Sequence, residues 1–198
     1  MIDVLSHKLT NQIKNNFPEI DEQKAEIINF GIQSIVSEIS KTTIILTVAY
    51  FLGVLNLILT AIVAFGVYRT FAGGFHAKSH LACLLTNSML FFSIVYLSLF
   101  LEHYLEFIYI IIYLFNCYVV YFYAPADVEE KPILSNKLKK KLKLKSFIVM
   151  SSIFLISISI HNRIFTNLLI LATFFESFTL LPISYKIMKC KHGVDENN

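Results

Sequence analysis

Twenty-seven residues, Thr42 to Tyr68, run without a single charge, with Asn56 and Gly53 as the main interruptions. Four more apolar runs follow, Leu84 to Leu101, Phe107 to Tyr123, Phe147 to Ile160 and Ile164 to Leu181, each bounded by charged residues. A water-soluble fold alternates apolar and polar faces, whereas unbroken runs of this length ask for lipid as the solvent. Composition agrees: 56% of the 198 residues are apolar and 16% are charged. In hydrocarbon every backbone N–H and C=O must be satisfied within the segment, so the runs are helices. The expected fold is all-α, a polytopic integral membrane protein with about six membrane-crossing or membrane-embedded helices. Amphipathic helices precede them at the N-terminus.

The pass along the chain divides one membrane domain, 1–198, into consecutive pieces. In 1–41, Ile2, Leu5, Leu9 and Ile13 recur at helical spacing against Asp3, His7, Lys8, Gln12 and Lys14, the pattern of an interfacial helix that Pro18 ends. A second stripe of Ala25, Ile28, Ile32, Ile35 and Ile39 follows, with Glu26, Gln33, Ser37 and Glu38 off it. No early apolar region leads to a small-residue cleavage site, so no cleavable signal peptide is expected. The stretch 124–146 holds Lys131, Lys137, Lys139, Lys140, Lys141, Lys143 and Lys145 and reads as a basic cytosolic loop by the positive-inside rule. Counting back from it makes 69–83 cytosolic, and both termini share that side if 42–68 doubles back as a hairpin. Each arm would then have about 13 residues, roughly 20 Å of helix against a core of about 30 Å, which suggests a tilted or shallow hairpin. The helical hairpins 84–123 and 147–181 and a cytosolic tail, 182–198, complete the division.

Net charge is +3, but the basic residues gather in one loop without interleaved aromatics, so nucleic acid is not an expected partner. The bilayer is. Cys83, Cys117 and Cys190 are an odd number at unpatterned spacing, which predicts no disulfide framework and suits a reducing compartment.

The chemistry concentrates in "RTFAGGFHAKSHLAC", residues 69 to 83. His76 and Cys83 are seven apart, and on a continuous helix they would stand about 10 Å apart along the axis, too far to hydrogen bond. Gly73 and Gly74 disfavour helix and let the backbone fold over, while Ser79 is a good N-cap for a helix running to Leu101. His76 then lies on a loop above the first turn and Cys83 near the helix start, where the helix dipole and an imidazolium both favour a thiolate. Alternatively His76, His80 and Cys83, at i, i+4 and i+7, suit three zinc ligands on one face, although Ala77 stands where a metalloprotease helix has Glu. As a bland reading, a cysteine in a membrane helix is apolar filler and a histidine at a helix start is solvated.

The pattern Arg69-x-x-x-Gly73-Gly74-x-His76-x-x-x-x-x-x-Cys83, the length, the flanking apolar runs and the lysine-rich loop together resemble the accessory gene regulator protein B (AgrB) family of membrane cysteine peptidases. The resemblance covers the whole chain. It implies His76 and Cys83 as the catalytic pair, no cofactor or metal, and a small peptide precursor with an amphipathic leader and an acidic C-terminal tail as partner. It also implies removal of that tail through an acyl-enzyme thioester, closure of a thiolactone or lactone ring for quorum sensing, and a possible homodimer. Lys139, Lys140 and Lys141 resemble a basic cluster of the family that would attract the acidic tail; topology and anionic lipid explain them equally well. The N-terminal helices are candidates to recruit the precursor's leader.

Other candidates rest on chemistry alone. Arg69 either binds a substrate carboxylate or anchors a helix end at the headgroups. Glu176, about 12 residues into the last apolar run, would be costly at the bilayer centre; it orients His76, fills a polar cavity or, being six residues from Pro182, reaches the interface. Gln33, Glu38 and Asn116 are candidates for a third catalytic or oxyanion group, and Cys117 and Cys190 read as structural. Two rival classes stay open, a non-catalytic peptide transporter relying on Glu176 and a metal-dependent membrane hydrolase.

Overall fold

The structure, a computed structural model, describes residues 2–17, 19–75, 80–101, 108–127, 133–188 and 190. Among them eight helices occur: α1 (Ile2–Asn16), α2 (Glu22–Phe51), α3 (Leu55–Ala72), α4 (His80–Phe100), α5 (Tyr109–Tyr123), α6 (Asn136–Ser159), α7 (Arg163–Thr179) and α8 (Pro182–Ile187). The described residues contain no strand, and the fold is an all-α membrane protein with six long helices, α2 to α7. Four of these, α2, α3, α4 and α6, are long and apolar enough to cross a membrane, and α5 is a shorter apolar helix. Two compact units divide the chain, 1–52 and 53–198.

In the first unit α1 packs on α2. The hydroxyl of Thr10 donates to Asn29 Oδ1 at 3.3 Å, and Lys14 pairs with Glu22. Among the side chains described in α1, Ser6 and Thr10, one turn apart, are buried, while Leu9 is exposed. Asp21 starts α2 by accepting from the Lys24 N–H at 2.8 Å, a standard cap for the first-turn donors. The second amphipathic stretch and the first half of the apolar run prove to be one helix of 30 residues rather than two elements. Nothing between Glu38 and Thr43 breaks it: Lys41 reaches back one turn to Glu38 at 2.5 Å, and the Ser40 and Thr43 hydroxyls return to Val36 and Ile39 carbonyls.

Gly53, at φ 71, ends that helix, in a conformation that is costly for any residue with a Cβ. The run 42–68 is thus broken in two, and its halves belong to helices of 30 and 18 residues. At 1.5 Å per residue these measure about 45 and 27 Å, so the shallow arms of about 13 residues give way to segments of spanning length.

The second unit is built around α7. Every residue from Thr166 to Thr173 is buried, which a helix achieves only when it is surrounded on all sides. It packs against α3, α4, α5 and α6, with α8 at its end. Its buried polar side chains meet partners inside the bundle. Asn167 Nδ2 donates to the Leu101 carbonyl at 3.1 Å and its Oδ1 accepts from the Tyr109 hydroxyl at 2.5 Å, joining α7 to the far ends of α4 and α5. Thr173 accepts from Asn116 Nδ2 at 3.1 Å, and Ser177 shares a hydrogen bond with the buried Tyr68 hydroxyl at 3.0 Å. Outward faces are apolar, as along Ile110, Ile111, Leu114 and Tyr118 of α5.

The basic stretch is not wholly a loop. Ser135 caps α6, its hydroxyl accepting from the Leu138 N–H at 3.4 Å, so Lys137 to Lys145 lie on the first turns of a helix. Lysine is a good helix former, and the 3.6-residue spacing of Leu138, Leu142 and Ser146 carries the α6 pattern back into the charged segment. Lys143 and Lys145 lie over the rings of Tyr121 and Phe71, which fastens this end of α6 to the C-terminal ends of α5 and α3.

Replacing Asn167 by Ala leaves the Leu101 carbonyl and the Tyr109 hydroxyl without their buried partner. We expect a loss of about 1–2 kcal/mol, read as a lower thermal midpoint in detergent, with the exposed Ile110→Ala close to unchanged.

Candidate active site at one end of the bundle

The last turn of α3 carries Arg69, and the helix stops at Ala72 because two left-handed glycines follow, Gly73 at φ 80 and Gly74 at φ 129. The Gly73 N–H closes the helix on the Arg69 carbonyl at 2.9 Å. Beyond it the chain pairs with the segment leaving α5: Ala126 N–H donates to the Ala72 carbonyl at 2.8 Å and Gly74 N–H to the Ala126 carbonyl at 3.0 Å. The approach admits no side chain, since a Cβ on Gly73 would lie 2.0 Å from the Ala126 oxygen. A Cβ on Gly74 would lie 2.6 Å from Thr179 Oγ1 and 2.8 Å from an Arg69 guanidinium nitrogen.

That guanidinium is the hub of the region. One of its nitrogens donates to Glu176 Oε2 at 3.2 Å and to Thr179 Oγ1 at 3.3 Å, the other donates to the Phe75 carbonyl, and the group lies 5.7 Å over the Phe65 ring. Glu176 is 0% exposed, and Thr179 Oγ1 also approaches its Oε2, at 3.2 Å. A carboxylate this deep is costly unless paired, and Arg69 supplies the pair. Glu176 Oε1 has no hydrogen-bond partner among the described residues. Phe75, whose carbonyl Arg69 holds, also sets its ring edge-on to Tyr185 at 6.4 Å, and the Tyr185 hydroxyl donates to the Asp127 carbonyl at 3.0 Å.

His76 lies outside the described residues, as do Ala77, Lys78 and Ser79. The expected cap by Ser79, the His76–Cys83 contact and the His76/His80/Cys83 zinc set fall there with it. Among the described residues no three His, Cys, Asp or Glu side chains gather as metal ligands. Cys83 sits in the first turn of the 21-residue α4, half-buried, and Asn87 Nδ2, one turn on, approaches its sulfur at 3.7 Å. The three cysteines are not in disulfides.

Lys139, half-buried, and Lys140 and Lys141, exposed, occupy the first two turns of α6, and their side chains make no hydrogen bond or ion pair among the described residues. Gln33 and Glu38 belong to α2 in the other unit, where Glu38 pairs with Lys41. Asn116 lies within the bundle on Thr173, with its Oδ1 lacking a partner among the described residues. Cys117 and Cys190 pack against the apolar core around Tyr68 and Tyr185. The structure therefore brings together Arg69, Gly73, Gly74 and Glu176 of the sequence candidates. Among the described residues the contacts of Arg69 are with Glu176, Thr179, Phe75 and Phe65, and 24% of its side-chain surface stays exposed.

Four participants were not visible in the motif: Thr179, Phe75, Ala126 and Asn87. Their contributions come from backbone groups at Phe75 and Ala126, a hydroxyl across the bundle at Thr179 and a side-chain amide at Asn87. A charge argument was available for Glu176, because an acid deep in one apolar run and an arginine closing another can offset each other's burial.

Comparison with known proteins adds an independent line. The family model described as Accessory gene regulator B matches residues 6–180. An AgrB-like protein of Clostridium acetobutylicum is 29% identical over 199 residues, covering 95% of this chain and 87% of its own. The accessory gene regulator protein B of Staphylococcus haemolyticus is 33% identical over 174 residues, covering 88% of this chain and 89% of its own. That of Staphylococcus aureus strain MW2 is 29% identical over 174 residues, covering 88% and 90%. No solved structure matches.

Gly73→Ala should lower the thermal midpoint in detergent well below that of Gly53→Ala. The latter meets nothing within 4 Å and costs only backbone strain, about 1–2 kcal/mol, whereas the former must also part Ala126 from α3.

Proposed function

Because the chain belongs to the accessory gene regulator B family, we propose that it is a membrane-embedded cysteine endopeptidase that processes a small autoinducing-peptide precursor for quorum sensing. The observation that carries the reading is Cys83 in the first turn of α4, seven residues beyond a histidine whose preceding residue, Phe75, is held by Arg69. The start of a 21-residue helix favours negative charge, and the Asn87 amide offers a donor to the sulfur.

In this reading His76 removes the Cys83 proton, and the sulfur attacks the carbonyl at the start of the precursor's C-terminal tail. The C–N bond breaks, the imidazolium returns its proton to the departing amine, and a thioester joins the remaining peptide to Cys83. A cysteine within the peptide then attacks that thioester and releases Cys83 as the thiol, closing a thiolactone; a serine would close a lactone. Thioester exchange is nearly isoenergetic, so the ring keeps its activation, provided water is excluded until the internal nucleophile arrives.

The precursor's acidic tail would be drawn to Lys139, Lys140 and Lys141, whose charges have no partner among the described residues. The same lysines support a cytosolic placement of this end of the bundle and of both termini. α1, with Leu9 exposed, would gather the precursor's amphipathic leader on the same membrane surface.

Co-expression with a candidate precursor tests the reading. Cys83→Ala and His76→Ala should each lower cleavage by about a thousandfold or more while membrane insertion is retained. Cleavage and export that survive Cys83→Ser would favour a transporter, and loss on chelation a metal-dependent hydrolase. Replacing Lys139, Lys140 and Lys141 together by Ala should raise KM by about tenfold with kcat preserved, and added salt should produce part of the same effect in the unsubstituted protein.

A further inference from the structure

Arg69 stands in the motif beside the proposed catalytic pair, yet its charge is directed inward. Its two terminal nitrogens reach Glu176, Thr179 and the carbonyl of Phe75. Glu176 has no exposed surface at all. The segment ending at Phe75 is held from three directions: by the guanidinium on its carbonyl, by the Ala126 backbone on Ala72 and Gly74, and by Tyr185 on the Phe75 ring. Gly74 is part of the arrangement, since a Cβ there would occupy the space of the guanidinium and of Thr179. We propose that Arg69 and Glu176 form a buried clamp that sets the main chain entering His76. They are positioning residues for the reaction and not a docking site for a substrate carboxylate. This inference rests on the cysteine-peptidase reading.

The mechanism is geometric. A planar, forked cation reaches the carboxylate and the carbonyl from two separate nitrogens in a fixed geometry, whereas a lysine ammonium would have to serve both from one nitrogen. Glu176 holds the fork in place from α7, so the segment ending at Phe75 is tied to the central helix of the bundle. A proton transfer between imidazole and thiol depends steeply on such placement.

The test uses the full chain in lipid vesicles with Arg69→Lys, Glu176→Gln and the double variant. Two quantities are read: steady-state cleavage of a candidate precursor, and the pH profile of Cys83 alkylation by iodoacetamide, followed by mass spectrometry of the peptide containing that residue. We expect each variant to lower kcat by about a hundredfold with KM held within about twofold. The alkylation profile should move toward that of His76→Ala, and the double variant should lose little beyond the worse single one. Thr179→Val, a smaller change to the same hub, should shift the profile part of the way and serves if the charge variants fail to insert. A loss confined to KM with an unaltered profile would overturn the clamp and make Arg69 a substrate contact, and an unaltered profile for Thr179→Val in place of uninserted charge variants would overturn it too. Full cleavage by Cys83→Ala would remove the peptidase reading and the clamp with it. Inactive Cys83→Ala beside fully active Arg69→Lys would remove the clamp alone.

Discussion

A carboxylate with no solvent exposure, held by an arginine from another helix, sets the terms for one end of this bundle. Removing either partner of such a pair leaves an uncompensated charge and costs about 3–5 kcal/mol, so the two helices that carry them are obliged to stay together. α3 and α7 are tied again by Tyr68 and Ser177, the residues next to Arg69 and Glu176. Gly74 leaves room for the guanidinium and Phe75 gives it a carbonyl, while Gly73 and the Ala126 strap hold the same segment through the backbone.

The same junction explains why α7 tolerates so many polar residues in an apolar protein. Lipid offers no hydrogen bonds, so a polar side chain is retained where a neighbouring helix supplies a partner. Asn167 finds carbonyls and a hydroxyl at one end, Thr173 finds Asn116, and Glu176 finds Arg69 at the other end. A helix enclosed by four others meets that condition along its whole length, and these pairs fix its rotation and depth, which apolar contacts alone leave loosely specified.

Much of the helix plan was legible, because unbroken apolar runs in a chain that has to satisfy its own backbone leave few options. The ends of α4, α5 and α7 fall within a few residues of the run boundaries. Two readings erred for one reason, the treatment of charge as punctuation. Lys41 and Glu38 pair within α2 and let it continue, and the lysines before Phe147 are already helical. Arg69, Gly73, Gly74 and Glu176 were each legible as residues of interest, but their assembly was not. What joins them is a backbone carbonyl at Phe75, a hydroxyl at Thr179 and a strap at Ala126, and groups that any residue type can provide leave no mark in a motif.

The lysines at the head of α6 have one more consequence. Lys143 and Lys145 rest on the rings of Tyr121 and Phe71, so the charged end of α6 is registered against the ends of α3 and α5. α6 thereby acts as a gauge of axial position: its first turns cannot slide along the bundle without giving up both ring contacts, and Phe71 stands two residues from Arg69.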